Sequence, residues 1–156
     1  MEKMHITVPV DVMSYSELSE EDRKLVDAAR EATEGSYAPY SKFHVGAAIL
    51  MADGSVVKGA NQENAAFSSG TCAERSALFY AAAAHPSTAL KKIAIAARIQ
   101  GAPFQSTPIS PCGACRQALL EYEHLYGDIE VILYGEDKIY RLPSVKSLLP
   151  LCFTEF

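Results

Sequence analysis

Three cysteines and one glutamate are spaced as a reacting centre would need them. Cys72 and Glu74 stand two residues apart in TCAER (Thr71–Arg75), and Cys112 and Cys115 frame the end of PCGAC (Pro111–Cys115). Three thiolates can hold a zinc ion and leave a fourth tetrahedral position for water, whereas a closed structural site normally shows a fourth Cys or His in the same cluster. No such fourth ligand is evident, and His5, His44, His85 and His124 form no metal-ligand spacing. Zinc brings the pKa of the water it binds to about 7, and Glu74 could take that water's proton and pass it to a substrate nitrogen. Three thiolates on one divalent cation leave a net negative site. Arg75 is a candidate to donate hydrogen bonds to the sulfurs and offset that charge, with Arg116 as a second.

Each of these residues also has a plainer reading. The cysteines could form a zinc knuckle that only joins two helices, or Cys112 and Cys115 alone a thiol redox pair. Glu74 by itself would be a solvated helix residue, and either arginine a surface ion pair. The combination of Cys-x-Glu with a later Pro-Cys-x-x-Cys favours catalysis, since a buried acid beside an open metal is otherwise expensive. Cys152 stands outside the cluster and reads as a partly buried free thiol.

The elements that must position these groups follow from periodicity and punctuation. Ser19 opens SEED, a capping-box-like start with Asp22 at the distal position, and Leu25, Val26, Ala28, Ala29 and Ala32 recur at helical spacing up to Gly35. A helix is expected at about 20–34. Residues 43–51 are rich in apolar strand formers, Asp53–Gly54 marks a hairpin turn, and residues 55–59 return. A second helix should begin at Thr71 or Cys72, be buried beside the sheet, and stop at Pro86. A strand at 92–99, a helix at 113–122 with Cys112 at its entrance, strands at 129–134 and 138–142, and a helical turn at 145–149 complete the order. Both cysteine groups thus fall at helix starts, where unpaired backbone N–H groups favour anionic thiolates. Residues 1–15 read as an extended arm in which Pro9 disfavours a central strand. The expected fold is a three-layer α/β/α sandwich around a mixed sheet of about five strands.

The chain has 156 residues, 49% of them hydrophobic and 21% charged, with a formal net charge of -5. That length suits one domain and buries enough surface to need no disulfide staple. The negative balance opposes avid non-specific binding to nucleic acid. The first fifteen residues make a poor signal peptide, and no apolar run approaches a membrane span. A cytoplasmic setting is the expectation, in which cysteines serve metal or catalysis more than disulfides.

At this point the chain resembles the small, homotetrameric cytidine deaminases. The similarity runs through SYAPYSKFHVGAA (Ser36–Ala48), NQENAAF (Asn61–Phe67), TCAER, SPCGACRQ (Ser110–Gln117) and LLPLCF (Leu148–Phe153), in that order. It leaves residues 1–18 outside, as an extension to a single domain at 19–156. The resemblance implies zinc, one per subunit, on Cys72, Cys112 and Cys115, with Glu74 shuttling protons. It implies that Asn61 and Glu63 bind ribose hydroxyls, which both donate and accept; without it, the pair would read as ordinary loop chemistry. It further implies a backbone contact to the pyrimidine at Ala65, Phe43 lining the site, and Phe153 reaching a neighbouring subunit's base, with Phe156 a competitor for that role. Two positions depart from the pattern. Phe67 stands where Tyr is frequent, and Gln62 where a β-branched apolar residue is usual, which leaves nucleoside preference open rather than reaction class.

The implied activity is hydrolytic deamination of cytidine and 2′-deoxycytidine in pyrimidine salvage, by a likeness to tetramers that share active sites. Competing readings are a zinc deaminase of another aminated heterocycle or nucleoside antibiotic, a polynucleotide-editing deaminase, for which basic and aromatic extensions are lacking, and a non-catalytic zinc module for assembly.

Overall fold

The computed structural model describes residues 1–155. Six strands form one sheet: β1 (Asp11–Met13), β2 (Phe43–Met51), β3 (Val56–Ala60), β4 (Leu90–Ile99), β5 (Glu130–Tyr134) and β6 (Ile139–Leu142), in the spatial order β1-β6-β5-β4-β2-β3. Only β4 and β5 run parallel, and the helix between them supplies the crossover that parallel neighbours require. That helix is α3 (Gly113–Tyr126); α1 is Glu20–Ala32 and α2 is Ala73–Ala84.

Side chains alternate across the strands, so each face builds its own core. Ala47, Ile49 and Met51 of β2, Ile93 and Ile95 of β4, and Val131 and Leu133 of β5 pack with Leu78 of α2 and Leu119 of α3. On the opposite face β2 and β4 offer small groups, Ala48, Ala94 and Ala96, in a core with Leu25, Val26 and Ala29 of α1 and with Ile132, Tyr134 and Ile139 of the neighbouring strands. Small side chains let that helix approach closely. At Gly46 an added Cβ would lie 2.1 Å from the Ala29 carbonyl oxygen. Three layers result, as expected.

The sheet has six strands rather than about five. The extra one, β1, comes from the N-terminal arm and pairs antiparallel with β6 through Asp11 opposite Arg141. Three exposed or half-buried residues carry too little apolar alternation to be read as a strand. The Arg141 guanidinium fixes the register by donating to Asp11 Oδ2 at 2.8 Å. A second difference concerns α2, which buries one stripe only: Ala73, Glu74, Ala77, Leu78 and Ala81 face inward while Phe79 and Tyr80 are exposed. The expected boundaries otherwise shift by a few residues, most at α3, which continues to Tyr126 before Gly127 ends it with positive φ.

The frame that holds α3 depends on one buried carboxylate. Glu123 accepts from the backbone N–H groups of Ile129 (2.9 Å), Val145 (2.7 Å) and Lys146 (2.9 Å), tying the helix end to the start of β5 and to the turn Val145–Leu148. In Glu123→Gln an amide N–H would face donors, leaving at least one of them unmatched. The expected loss is about 2 kcal/mol of unfolding free energy, read as a lower urea midpoint. An unchanged midpoint would show that water replaces the carboxylate without penalty.

Among the described residues no helix is long and apolar enough to cross a membrane.

Candidate active site

The two helix starts meet. Cys72 is the residue that precedes α2 and Cys112 the one that precedes α3, both with extended backbone, while Cys115 lies one turn into α3. Their sulfur atoms all lie within 4.8 Å of one another. Cys72 Sγ is 3.8 Å from Cys112 Sγ, which is 3.5 Å from Cys115 Sγ. Tetrahedral zinc with Zn–S bonds of about 2.3 Å would set its sulfurs roughly 3.8 Å apart, so the trio fits that ion. Burial pushes the Cys115 thiol well above its usual range, with the Glu74 charge adding to it, and burial also raises Cys72, against the opposing hydrogen bond from Arg75. Cys112 is buried enough to resist ionisation, but the backbone N–H of Cys115 and the adjacent thiols outweigh that and lower it. Burial first, and then neighbouring negative charge, disfavours thiolates at Cys72 and Cys115, and a divalent cation between the sulfurs would offset both.

Arg75 sits where the sequence suggested. Its Nη2 is 3.9 Å from Cys72 Sγ, and its Nε is buried without a partner. Arg116 does not take the matching role. It donates through Nε to the Pro111 carbonyl and through Nη1 to the Leu148 carbonyl, both at 2.8 Å, because its position a turn beyond Cys112 aims it back along α3 and across to the C-terminal turn. Glu74, in the first turn of α2, is only 4% exposed, and burial raises its carboxyl above the usual range.

These groups open into a cavity of about 670 Å³. Cys72, Glu74, Arg75 and Cys112 line it together with Phe43, Asn61 and Glu63, while Cys115 is buried and does not. Ala65 and Phe153 do not line it. Ala65 is exposed on the loop after Glu63, and Phe153 is exposed on the tail, its carbonyl accepting from Gln117. Phe156 lies outside the described residues.

Asn61 and Glu63 serve the loop as well as the cavity. Asn61 Oδ1 accepts from Val45 N–H at 2.8 Å and from the Ser36 hydroxyl at 2.5 Å, while Nδ2 donates to the Phe43 carbonyl at 2.9 Å. Glu63 Oε2 accepts from the backbone N–H groups of Tyr40 (2.9 Å) and Ser41 (3.2 Å). The Ser41 hydroxyl first, and then those N–H groups, hold this carboxyl below its usual range, so it stays an anion and an acceptor. The unusual Gln62 turns its amide to the Gly35 carbonyl, 2.9 Å away, pinning the loop to the end of the first helical segment. Phe67 is 88% exposed at the cavity wall. Sequence reasoning passed over Ser36, Tyr40, Ser41, Ile109 and Ser110, the last four of which line the cavity. Their positions inside SYAPYS and just ahead of PCGAC were the available signal.

The family model for the cytidine and deoxycytidylate deaminase zinc-binding region matches residues 19–126. The chain belongs to the cytidine and deoxycytidylate deaminase family. A cytidine deaminase of Halalkalibacterium halodurans is 40% identical over 141 residues, covering 83% of this chain and 92% of that protein. A probable cytidine deaminase of Dictyostelium discoideum is 35% identical, covering 87% and 86%. Among solved structures, the cytidine deaminase of Burkholderia pseudomallei superposes with a TM-score of 0.71 at 40% identity, covering 87% of this chain and all of that one. The Mycobacterium tuberculosis cytidine deaminase gives 0.66 at 32% identity, covering 88% and 100%.

Proposed function

We propose that this protein hydrolytically deaminates cytidine and 2′-deoxycytidine, giving uridine and 2′-deoxyuridine with release of ammonia. The observation that carries this reading is the meeting, at one cavity, of two members of the cysteine trio and a buried carboxyl with an Asn–Glu pair suited to sugar hydroxyls. Cys72, Cys112 and Cys115 would hold the zinc, one ion per subunit. Zinc, when bound, supplies a hydroxide equivalent at neutral pH and Lewis-acid stabilisation of developing negative charge.

The chain's own residues do the remaining work. Glu74 accepts a proton from the attacking water and gives it to ring N3, which makes C4 electrophilic. As oxygen bonds to C4, the carbon becomes tetrahedral. Glu74 then relays the second proton to the exocyclic amine, the C4–N bond breaks, and ammonia leaves. Burial suits Glu74 to this cycle because it eases the step from carboxylate to neutral acid. Arg75 steadies the Cys72 sulfur and offsets the excess negative charge. Phe43 gives the base an apolar wall, the Ala65 backbone offers a contact to the pyrimidine, and Asn61 with Glu63 reads the sugar hydroxyls. The Glu63 anion also makes a phosphate unwelcome near the sugar, which favours nucleosides over nucleotides.

Assembly belongs to the same reading. Phe79, Tyr80 and Phe153 are more than half exposed in the single chain, which fits a homotetramer in which Phe153 completes a neighbour's site. Pyrimidine salvage in the cytoplasm is the setting such chemistry suits. The deciding experiment is ammonia release by zinc-loaded protein from cytidine, 2′-deoxycytidine and cytidine 5′-monophosphate. Turnover of the two nucleosides, with the nucleotide at least about tenfold poorer in kcat/KM, is expected. Folded, zinc-loaded protein inert on both nucleosides would overturn the assignment.

A further inference from the structure

Asn61 and Glu63 lie on a strap braced from behind by Ser36 and Tyr37, neither of which lines the cavity. The segment at Ser36 and Tyr37 runs alongside Asn61–Glu63: Tyr37 N–H donates to the Asn61 carbonyl at 3.0 Å, and Glu63 N–H to the Tyr37 carbonyl at 2.8 Å. Ser36 closes the end of the first helical segment, its own N–H donating to the Thr33 carbonyl at 3.2 Å. Its hydroxyl donates to Asn61 Oδ1, and it is not among the residues that line the cavity.

A carboxamide has two acceptor lone pairs on oxygen and two N–H donors. Val45 N–H and Ser36 O–H occupy both lone pairs of Asn61, and the Phe43 carbonyl takes one N–H. What remains for a ligand is a single donor. Glu63 accepts from two backbone N–H groups and from the Ser41 hydroxyl, and a carboxylate with about four lone-pair positions keeps room to accept one bond more. A donor beside an acceptor matches a hydroxyl group, which can accept from Asn61 while donating to Glu63. The Ser36 bond also polarises the amide, strengthening its remaining N–H.

We infer that Ser36 is a positioning residue for the sugar-hydroxyl subsite, acting through Asn61 to make that amide a pure donor next to the Glu63 acceptor. The inference rests on the nucleoside reading above. It separates Ser36 from groups that touch substrate, since its influence reaches the ligand only by way of Asn61. It also assigns a use to a hydroxyl that loop chemistry alone would leave as a local turn contact.

The test compares wild type, Ser36→Ala and Ser36→Thr on cytidine, with 2′,3′-dideoxycytidine as a competitor that lacks both ring hydroxyls of the sugar. Ser36→Ala should raise KM for cytidine about fivefold, the scale of one hydrogen bond, while kcat stays within about twofold, as for an interaction made equally in ground and transition states. The competition constant of the dideoxy analogue should not change, and Ser36→Thr, which retains the hydroxyl, should restore KM. An unchanged KM in Ser36→Ala overturns the inference. So does a rise that is equal for cytidine and the dideoxy analogue, or a failure of Thr to rescue, because either marks general loosening of the loop. Wild type inert on cytidine would instead remove the nucleoside reading, and the role of Ser36 with it, before any variant is compared.

Discussion

Glu74→Gln should leave a folded, zinc-loaded, normally assembled protein whose turnover of cytidine has fallen by about 10²- to 10⁴-fold, the contribution of a positioned general acid/base. The amide has nearly the shape of the carboxyl, so the buried pocket at the start of α2, where Glu74 is 4% exposed, keeps its packing. No sulfur is altered, so the trio whose neighbouring sulfurs lie 3.8 Å and 3.5 Å apart keeps all its ligand atoms. What the amide cannot do is accept a proton from water and return it twice in one cycle. Measured zinc content, sedimentation behaviour and ammonia release therefore answer separate questions. A non-catalytic zinc module requires all three to be unchanged. Retained turnover within about tenfold of wild type would remove Glu74 from the proton path while leaving the metal assignment untouched.

The features legible in the sequence share one physical property: their signal is local or periodic. Leu25, Val26 and Ala29 recur at helical spacing, and Ser19 accepts from the Asp22 N–H at the start of α1 as its position suggested. The hairpin turn at Asp53–Gly54 needs positive φ, which Gly54 adopts. The cysteines are rare residues in a spacing that few other roles demand. What escaped depends on partners distant in the chain. β1 exists because Arg141 and the β6 edge receive it, not because three residues prefer to be a strand. Arg116 and Arg75 look alike beside their cysteines, yet only contact with the Leu148 carbonyl, far along the chain, shows that Arg116 braces the C-terminal turn. Glu123 reads as an exposed helix residue until Ile129, Val145 and Lys146 are brought around it. Phe79 and Tyr80 sit in an apolar run, but helical geometry turns them from the core that Leu78 enters. Ser36 was hidden for the same reason, its partner Asn61 lying on another segment.

Gly59→Ala should damage both stability and chemistry, although Gly59 does not line the cavity. On β3 it faces α2 at a point where an added Cβ would lie 2.4 Å from the Ala77 nitrogen, 2.8 Å from Ala77 Cα and 2.8 Å from the Ala73 carbonyl oxygen. All three are helix backbone, so no side-chain rotation can relieve the clash and α2 itself must move. The expected loss is about 3 kcal/mol of unfolding free energy, at the upper end for overpacking, visible as a large fall in urea midpoint. The consequence for chemistry follows from what α2 carries. Cys72 and Glu74 stand at its start while Cys112 and Cys115 belong to α3, so displacing one helix against the other spreads the trio and shifts the carboxyl. A misplacement of about 1 Å is enough to cost on the order of 100-fold in rate, and zinc affinity should weaken in parallel. Gly46→Ala supplies the contrast. Its Cβ would strike the Ala29 carbonyl oxygen at 2.1 Å and the Thr33 nitrogen at 2.7 Å, again helix-side backbone, but on the face of the sheet occupied by α1. It should destabilise to a similar degree while leaving the zinc affinity of the folded protein close to wild type. If both variants lose zinc equally, the sheet transmits strain between its faces. If Gly59→Ala keeps the wild-type midpoint and turnover, close packing of α2 on β3 does not hold the two halves of the site together.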